Sequence, residues 1–405
     1  MQRIQTQLCV LATAMLIAGV VLAGCQSGGS APSSSSSAES VMPSSSTVPT
    51  STPVPSLSQH YLFTDLGVLP PGLDSMAFGT ARTGQGDAGQ TVVVGHADSG
   101  PNSKFTGFHG FMWVEAAGRM FDIGMLPGDE KCSANAVNAV GQIVGESLGG
   151  DTSRAFLYDG RMHDLGGFGG SFAGAHAIND AGQVAGYAKK PQGADHAFLW
   201  MPSAKNPAKG RMIDLGVLPQ GIASVAMGIN AQGQVVGYSN DADSYGHAFL
   251  WSPSAPNGRT GSMVDLGALP GQQYASAYAI NDSGVVVGEA TIGPDAYAFA
   301  WTPTAPNGST GTMTSLGGLG GTWSRATAIN AAGDIVGVAQ GPGPESFDHA
   351  FLYRDGSMYD LNSALPSDLE GVVLTTAYGI TDNGQIVGGA TVDQHSHAFL
   401  LTPTD

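Results

Sequence analysis

Charged residues are scarce in this sequence, and cations are the scarcest of them. Only 12% of the 405 residues are charged, and 15 Lys and Arg stand against 32 Asp and Glu, which gives a net charge of −17. This balance argues against a nucleic-acid partner, whose phosphates need cations to neutralise them, and against electrostatic adhesion to anionic lipid headgroups. The sequence also lacks a nucleophile elbow, a phosphate-binding loop and the ligand spacing of a zinc site. We therefore expect no cofactor, no bound metal and no nucleic acid.

Cysteine is equally scarce, with three residues in the whole chain. Cys9 and Cys25 lie in the N-terminal leader, so Cys132 remains alone and an internal disulfide is excluded. Cys132 has two interpretations, a reactive thiol or a small buried hydrophobic residue, and the second is favoured.

The N-terminus has the pattern of an export signal. Arg3 is the only charge in residues 1–7, residues 8–21 are almost entirely apolar, and Leu-Ala-Gly-Cys follows at 22–25. The apolar run is too short for a transmembrane helix and ends in small residues, as a secretory signal does. The tetrapeptide resembles the lipobox of bacterial lipoproteins, which implies cleavage after Gly24 and lipidation of Cys25. The alternative is a plain secretory signal with an incidental Cys.

This leader predicts where the protein is held. Acyl chains on Cys25 would anchor it in a membrane, since each buried CH₂ contributes about 0.8 kcal/mol. Gln26 after the Cys, rather than Asp, resembles the outer-membrane retention pattern, so we expect an exported lipoprotein at the outer membrane or cell surface. Residues 26–59 are mostly Ser, Pro and Thr, which predicts a disordered tether. The expected organisation is a signal peptide at 1–24, a lipidated tether at 25–59 and a folded domain at 60–405.

A five-residue phrase recurs seven times in the folded domain, mostly about fifty residues apart. It reads His-Ala-Phe-Leu-Trp at 247–251, and its copies begin at His109, Arg154, His196, His247, Tyr297, His349 and His397. A fixed period of this size indicates a repeat architecture. Each repeat divides into four short segments that are rich in β-branched or aromatic residues and bounded by Gly, Asn, Asp or Pro. For the copy at 247–251 we expect strands at 224–230, 234–239, 247–251 and 263–267.

Repeated four-stranded meanders are typical of a β-propeller, whose blades pack against each other on both faces. Small residues alternate in the first strand, as at Ala226 and Gly228, so we place that strand nearest the central axis. The region opens with a fourth strand at 61–67 and ends with a third strand at 397–401. The sequence therefore predicts an all-β, seven-bladed β-propeller of four-stranded blades, in which strand 61–67 completes the last blade. Closure leaves no exposed sheet edge, and we expect a monomer.

Three phrases together carry a family resemblance: Asp-Leu-Gly-x-Leu-Pro-Gly, Ala-Ile-Asn-x-x-Gly-Gln-Val-Val-Gly and His-Ala-Phe-Leu-Trp. They resemble the HAF-family extracellular repeat of bacterial proteins over residues 61–401. The resemblance implies an exported repeat protein and supplies no catalytic residues. Blade 1 departs most from the pattern, since Phe78-Gly-Thr-Ala stands in place of Ala-Ile-Asn, and the register of residues 74–95 stays open.

Two polar residues recur through the repeats. The phrase begins with His in five of its seven copies, but equivalent positions in different blades are too far apart to share one metal, whose ligands lie at about 2.1 Å. We therefore predict a structural hydrogen bond from this His at the start of its strand. The Asp of Asp-Leu-Gly recurs at Asp65, Asp122, Asp164, Asp214, Asp265 and Asp360. A cation-binding carboxylate ring is one interpretation, and capping of backbone N–H groups in the following turn is the favoured one.

Two sets of positions vary while their neighbours do not, and they supply the candidate binding residues. The first-strand set is Asn135, His176, Met227, Tyr278, Thr327 and Tyr378, with Phe78 as a candidate equivalent. The second-strand set is His96, Glu146, Tyr187, Tyr238, Glu289, Val338 and Gly389. Nine of these residues are candidates to line a channel mouth that binds a sugar or peptide. They are Asn135, His176, Tyr278 and Tyr378 of the first-strand set and His96, Glu146, Tyr187, Tyr238 and Glu289 of the second-strand set. Packing between blades, with tolerated variation, explains the same pattern.

The loops after the third strand are long and alike in blades 3, 4 and 5, at 201–207, 252–258 and 302–308. They predict a polar ridge, which is either a protein-docking surface or the result of recent duplication.

The expected function is that of a propeller anchored in the cell envelope, serving as a ligand-binding or protein-interaction scaffold for a glycan or an envelope protein. The alternative is a glycan-acting enzyme, a hydrolase or lyase, with its site at the channel mouth. A glycosidase needs two carboxylates about 5–10 Å apart, and Glu146 and Glu289 belong to blades 2 and 5. We therefore expect a protein without catalytic activity.

Overall fold

The computed structural model describes residues 57–404, apart from 85–88, 99, 101–106, 192, 204–205, 244, 293–294, 342–346 and 368. The predicted signal peptide, Cys25 and nearly all of the predicted tether lie outside the described residues. Within them, strands account for almost all regular structure, with two short 3₁₀ turns at Glu115–Ala117 and Leu361–Ala364. None of the described helical segments has the length and apolar character to cross a membrane.

The strands form seven antiparallel four-stranded sheets within the described residues, and each sheet is one blade. Six blades are built from consecutive strands. Blade 1 contains β2 (Ser75–Thr83), β3 (Gln90–Asp98), β4 (Phe108–Val114) and β5 (Arg119–Asp122); blade 2 contains β6 (Lys131–Val137), β7 (Ile143–Gly149), β8 (Thr152–Tyr158) and β9 (Met162–Asp164); blade 3 contains β10 (Ala173–Ile178), β11 (Val184–Lys189), β12 (Asp195–Ser203) and β13 (Asn206–Gly216). Blade 4 contains β14 (Ala223–Ile229), β15 (Val235–Asn240), β16 (Gly246–Pro253) and β17 (Gly261–Asp265); blade 5 contains β18 (Tyr274–Ile280), β19 (Val286–Ile292), β20 (Asp295–Pro303) and β21 (Gly311–Gly317); blade 6 contains β22 (Ser324–Ile329), β23 (Ile335–Gln340), β24 (Asp348–Arg354) and β25 (Ser357–Asp360).

Blade 7 joins the two ends of the folded region. It contains β26 (Val372–Ile380), β27 (Ile386–Val392), β28 (His395–Pro403) and, as its outermost strand, β1 (Tyr61–Asp65). β1 runs antiparallel to β28, with Phe63 opposite Leu401. The predicted seven-bladed propeller and its closure by the first strand are therefore confirmed, and strand bounds differ from the predicted ones by one or two residues.

The first strand of each blade lies nearest the axis, as predicted, since each contacts the first strands of both neighbouring blades. Every one of these strands carries a β-bulge, which in blade 4 falls between Ala226 and Gly228. The small residues on either side of the bulge allow close approach between blades. A Cβ added to Gly228 would lie 3.0 Å from the carbonyl oxygen of Tyr278 in the next blade.

The bulge accounts for two further constant residues. Opposite it, the Gly of Val-Val-Gly leaves no space for a side chain, because a Cβ at Gly237 would collide with the Val225 carbonyl oxygen. The Phe of the recurring phrase then packs across this glycine, as Phe198 does at Gly186. All seven of these Phe residues are fully buried, and removing one such ring costs about 3–5 kcal/mol.

The recurring His and Asp meet on the face that carries the loops between blades, which we call the loop face. In five blades His Nδ1 lies 2.6–3.5 Å from the Asp carboxylate of the same blade, and Arg154 approaches Asp164 at 3.4 Å. The other carboxylate oxygen accepts a bond from a backbone N–H two residues on, as Asp122 Oδ1 does from Gly124 at 2.8 Å. In blade 3, Asp214 Oδ1 makes both contacts. Both the structural His and the capping Asp are confirmed.

The opposite face, the turn face, carries the Asn-x-x-Gly turns. In blade 4, Asn230 Oδ1 accepts from the N–H groups of Gln232 and Gln234 at 3.1 and 2.9 Å, while Gly233 takes a positive φ of 79°. Asn230 Nδ2 donates to the Asn281 carbonyl of blade 5 at 3.2 Å. Equivalent bonds run from blade 2 to blade 7, so the turn motif also joins successive blades.

Candidate functional site

The variable first-strand residues are the bulge residues, one in each blade. Polar members bond to the next blade: Asn135 Nδ2 donates to the Ala175 carbonyl at 2.9 Å, and His176 Nδ1 lies 2.9 Å from the Ala226 carbonyl oxygen. The ring of Tyr378 packs edge-on against Phe78 of blade 1 at 5.3 Å. The structure thus gives this set contacts between neighbouring blades around the axis.

The variable second-strand residues lie beside the bulges and are mostly buried. His96 is enclosed by Phe78 and Phe108, each with a ring centroid 4.9 Å away. Burial lowers the pKa of His96 to about 4, so the ring is neutral at pH 7. Tyr238 is 8% exposed, and burial raises its pKa to about 12.

A carboxylate cluster connects blades 2 and 3. The Tyr187 hydroxyl donates to Glu146 Oε1 at 3.0 Å. Burial raises the pKa of Glu146, and the negative charge of Asp195 raises it further. Burial also raises the pKa of Asp195, whose Oδ1 is buried without a hydrogen-bond partner among the described residues. Two carboxyl groups with raised pKa values therefore lie on this side of the channel, and the charge of Asp195 acts on Glu146.

A second cluster connects blades 5 and 6 through Glu289. Arg325 bonds to both carboxylate oxygens of Glu289 at 2.9 and 3.0 Å, and the Tyr278 hydroxyl donates to the same carboxylate at 2.8 Å. The guanidinium also lies 5.3 Å from the centre of the Tyr278 ring. Tyr278 and the Glu289 carboxylate raise the pKa of Arg325. The cluster is a partly buried ion pair of fixed geometry.

Glu289 lines a cavity of about 480 Å³ between blades 4 and 5 on the loop face. Tyr245 and Gly246 of blade 4 form one side. Blade 5 supplies the rest: Gln273, Tyr274, Ala275, Ser276, Glu289 and Thr291. We call this space the inner cavity, and it combines aromatic rings with a carboxylate, an amide and two hydroxyl groups.

An aromatic platform stands at the edge of the inner cavity. Tyr245 and Tyr274 stack with ring centroids 3.9 Å apart and planes within 6°. Asp241 holds the loop that presents Tyr245, because its Oδ1 accepts the backbone N–H groups of Asp243 and Tyr245 at 3.0 Å each. Tyr245 remains 45% exposed, so a stacking surface faces solvent beside the carboxylate.

Sequence reasoning found Glu289 and missed the other residues of this cavity. Tyr245 lies at the end of a loop, and Tyr274 lies at the start of a strand. The sequence differs between repeats throughout both regions, so a variable residue there does not stand out from its neighbours. The available signal was an aromatic residue at the loop end of blade 4 and another at the strand start of blade 5. Of the remaining candidates, Tyr278 bonds to Glu289, whereas Glu146 and Tyr187 are not among the residues that line this cavity.

The predicted ridge lies on the turn face, away from the inner cavity. The backbone N–H of Asn257 donates to the Gln232 carbonyl at 2.9 Å, and that of Asn307 donates to the Ser283 carbonyl at 3.1 Å. These loops of blades 4 and 5 therefore fold over the Asn-x-x-Gly turns of their own blades. Part of the blade 3 loop, residues 204–205, is outside the described residues.

Comparison with known proteins gives a partial family match and similar propellers. Residues 220–400, less than half of the chain, match a family described as a protein of unknown function, DUF3466. No curated protein matches the sequence.

The described residues contain no group of three or more His, Cys, Asp or Glu side chains placed to hold a metal ion.

Three solved structures resemble the chain at low identity. TolB from Acinetobacter baumannii is 10% identical with a TM-score of 0.40, over 78% of this chain and 80% of that one. A structural genomics protein of unknown function from Bacteroides thetaiotaomicron is 11% identical with a TM-score of 0.36, over 87% and 98%. A structure described as a glycoside hydrolase is 8% identical with a TM-score of 0.31, over 86% and 92%.

Proposed function

We propose that this seven-bladed propeller is a binding module, and that it takes a neutral sugar in the inner cavity. The observation that carries the proposal is the Tyr245–Tyr274 stack beside the Glu289–Arg325 ion pair. Sugar rings present an apolar C–H face that packs on aromatic rings and hydroxyl groups that bond to polar side chains. The inner cavity supplies both kinds of surface at one place.

The charges around the inner cavity favour a neutral ligand. Arg325 already neutralises Glu289 through two hydrogen bonds, so a cationic ligand would compete with a fixed guanidinium. Asp241 and Asp243 lie near the Tyr274 ring, where their charges raise its pKa, after burial and Tyr245. An anionic ligand would meet these carboxylates and a chain of net charge −17.

A thermal-shift screen of soluble residues 57–405 tests the proposal, with neutral mono- and disaccharides compared against lysine-rich peptides. A ligand at about 100 times its Kd adds about 2.7 kcal/mol to the free energy of unfolding. Tyr245→Ala should weaken sugar binding about tenfold or more, since a lost aromatic contact is worth about 1.4 kcal/mol. Phe347→Ala is the matched control, because Phe347 occupies the equivalent loop of blade 6 and is 73% exposed. Binding by peptides alone would refute the proposal.

We also propose that the module is exported and held at the cell envelope by lipidation of Cys25. The leader at 1–25 and the resemblance to HAF-type extracellular repeats support this. Cys25→Ser should move the protein from the membrane fraction to the soluble fraction of the producing cell, while mass spectrometry of the wild-type protein should show an acylated N-terminal Cys25. An unmodified wild-type N-terminus would contradict the proposal.

A glycan-acting enzyme is the second candidate, and the Glu146–Asp195 cluster is the observation that favours it. A carboxyl group of raised pKa near a second carboxyl group is the kind of pair that glycoside hydrolysis uses. Glycan release by the wild-type protein, abolished in Glu146→Gln and kept in Tyr245→Ala at saturating substrate, would support this role. Glycan binding without any cleavage would leave the binding module as the function.

A further inference from the structure

Blade 5 is the one described blade in which neither member of the recurring polar pair is kept. Tyr297 stands where five blades have His, and Ser315 stands where the other six blades have Asp. Ser315 retains the capping bond, since its Oγ accepts the Gly317 N–H at 3.2 Å. The bond between the third and fourth strands at this point is lost, while the backbone register is kept, with Phe299 opposite Ser315 as Phe249 is opposite Asp265.

A second cavity of about 440 Å³ lies on the loop face, where Tyr297 and Ser315 replace the His–Asp pair. We call it the outer cavity. Pro270, Tyr297 and Met313 give it an apolar side, while Gln272, Thr314 and Ser315 add polar groups. Its lining includes no carboxylate, ammonium or guanidinium group. An amphipathic, uncharged surface of this kind matches a neutral sugar ring in the same way as the inner cavity.

The two cavities lie on either side of one loop. Gln272 lines the outer cavity, and Gln273, the next residue, lines the inner cavity. The loop is held by its own backbone bond from the Gln272 N–H to the Leu269 carbonyl at 2.8 Å. A ligand that crosses this loop touches both cavities, which requires a chain of units rather than a single ring.

Gln272 provides an independent indication of a ligand. Its Oε1 is buried and accepts no hydrogen bond from the described residues. Buried polar atoms in folded proteins normally have a partner. Gln272 also lines the outer cavity, so a ligand hydroxyl group bound there would supply the missing donor once the side-chain amide turns toward it.

We propose that the outer cavity is a second subsite, so that the ligand is an oligosaccharide lying across the loop at 269–273 of blade 5. This inference rests on the proposed function of the inner cavity. The inner cavity takes one sugar ring against Tyr245 and Tyr274, and the outer cavity takes a later ring against Tyr297. The loss of the His–Asp pair in blade 5 is what opens the second position.

The double variant Tyr297→His with Ser315→Asp tests the proposal by restoring the pair found in five other blades. Since those blades hold the pair in the same register, the variant should fold and melt at or above the wild-type temperature. Isothermal titration with malto-, cello- and chito-oligosaccharides of one to six units gives the readout. Wild-type affinity should rise at least tenfold between the monosaccharide and the best longer chain. The double variant should bind the monosaccharide equally well and show no gain with length.

A second variant keeps the test independent of the restored pair. Gln272→Ala should reduce affinity for the longer chains and leave monosaccharide affinity unchanged, whereas Gln232→Ala on the turn face should change neither. Length dependence preserved in both the double variant and Gln272→Ala would overturn the second subsite while the inner cavity stands. Failure of every sugar to bind the wild-type protein would instead overturn the proposed function itself.

Discussion

His397 Nδ1 lies 2.7 Å from Asp65 Oδ2, and this pair joins the last strand of the propeller to its first across 332 positions of the chain. The same His–Asp pair occurs at 2.6–3.5 Å within blades 1, 3, 4 and 6, where the two strands are neighbours in sequence. Ring closure therefore uses an ordinary blade contact between distant segments. The cost of bringing such segments together grows only slowly with the length of the loop between them.

The closing strand β1 should stabilise the whole ring. Tyr61 is 1% exposed and packs in the core between blades 6 and 7, whereas Leu62, its neighbour, is 58% exposed. We expect Tyr61→Ala to cost about 3–5 kcal/mol and to lower Tm by roughly 5 °C or more. Leu62→Ala on the same strand is the control and should leave Tm nearly unchanged. Equal Tm values for the two variants in calorimetry would contradict closure by β1.

The His349–Asp360 pair should make stability depend on pH within a defined window. The hydrogen bond with Asp360 raises the pKa of His349. Burial opposes ionisation of Asp360, but the bonds with His349 and Asn362 outweigh it and lower its pKa. A raised His pKa stabilises the fold below its unfolded value of about 6.5, and a lowered Asp pKa does so above about 3.9. The pair thus contributes fully between these values.

Chemical unfolding of His349→Gln at several pH values checks this window. The wild-type protein should have a higher free energy of unfolding than the variant, and this excess should be largest between about pH 4 and 6.5. The excess should fall as the pH rises through the raised pKa of His349, and as it drops through the lowered pKa of Asp360. His60→Gln, at an exposed His, is the control. An excess that keeps growing above pH 8 would show that charge on His349 is irrelevant.

Asn230 should contribute far more than its neighbour in the same turn. It is 3% exposed, accepts two backbone N–H groups and donates to blade 5. Removing it leaves buried backbone groups unpaired, which costs about 1–3 kcal/mol for each such group. Asn230→Ala should therefore lower the free energy of unfolding by at least about 2 kcal/mol, against under about 0.5 kcal/mol for Gln232→Ala. Denaturant unfolding of both variants gives the comparison, and similar losses would refute the role of the Asn side chain.

Cys132 should be chemically inert in the folded protein. It is fully buried, and burial raises its pKa to about 12, so the thiolate that reacts is almost absent at neutral pH. Residues 57–405 should react with a disulfide reagent at pH 8 only after unfolding, with one thiol released for each chain. Rapid reaction of the native protein would contradict the buried, small-hydrophobe interpretation and indicate an accessible nucleophile.

The repeat made the blade count and ring closure predictable from sequence, because each strand type has its own constant residues. The bulges were not predictable, since a bulge residue such as Met227 interrupts the two-residue alternation without any distinctive residue type. The structure explains them through Gly237, which is constant because the bulged strand leaves no space for a side chain. Constancy of a residue was visible in the sequence, whereas its steric cause depended on the partner strand.

The candidate site was predictable only in part, for a different reason. Variation along the inner strands indicated Glu289, and it equally indicated residues with packing contacts, such as His96 within blade 1 and Tyr238 between blades 3 and 4. Tyr245 and Tyr274 come together only because the loop after β15 meets the start of β18 in the next blade. Such a contact depends on loop conformation, which the hydrogen bonds of Asp241 determine, and periodicity contains no information on it.

A crystal structure of residues 57–405 with the sugar that shifts the melting temperature most would test the central claim directly. The account predicts a sugar ring in the inner cavity, packed on the Tyr245–Tyr274 stack and bonded to Glu289. For a longer chain it predicts continuous density across the loop at 269–273 toward Tyr297. A sugar bound elsewhere, such as beside Glu146 and Asp195, with both cavities of blade 5 empty, would contradict it.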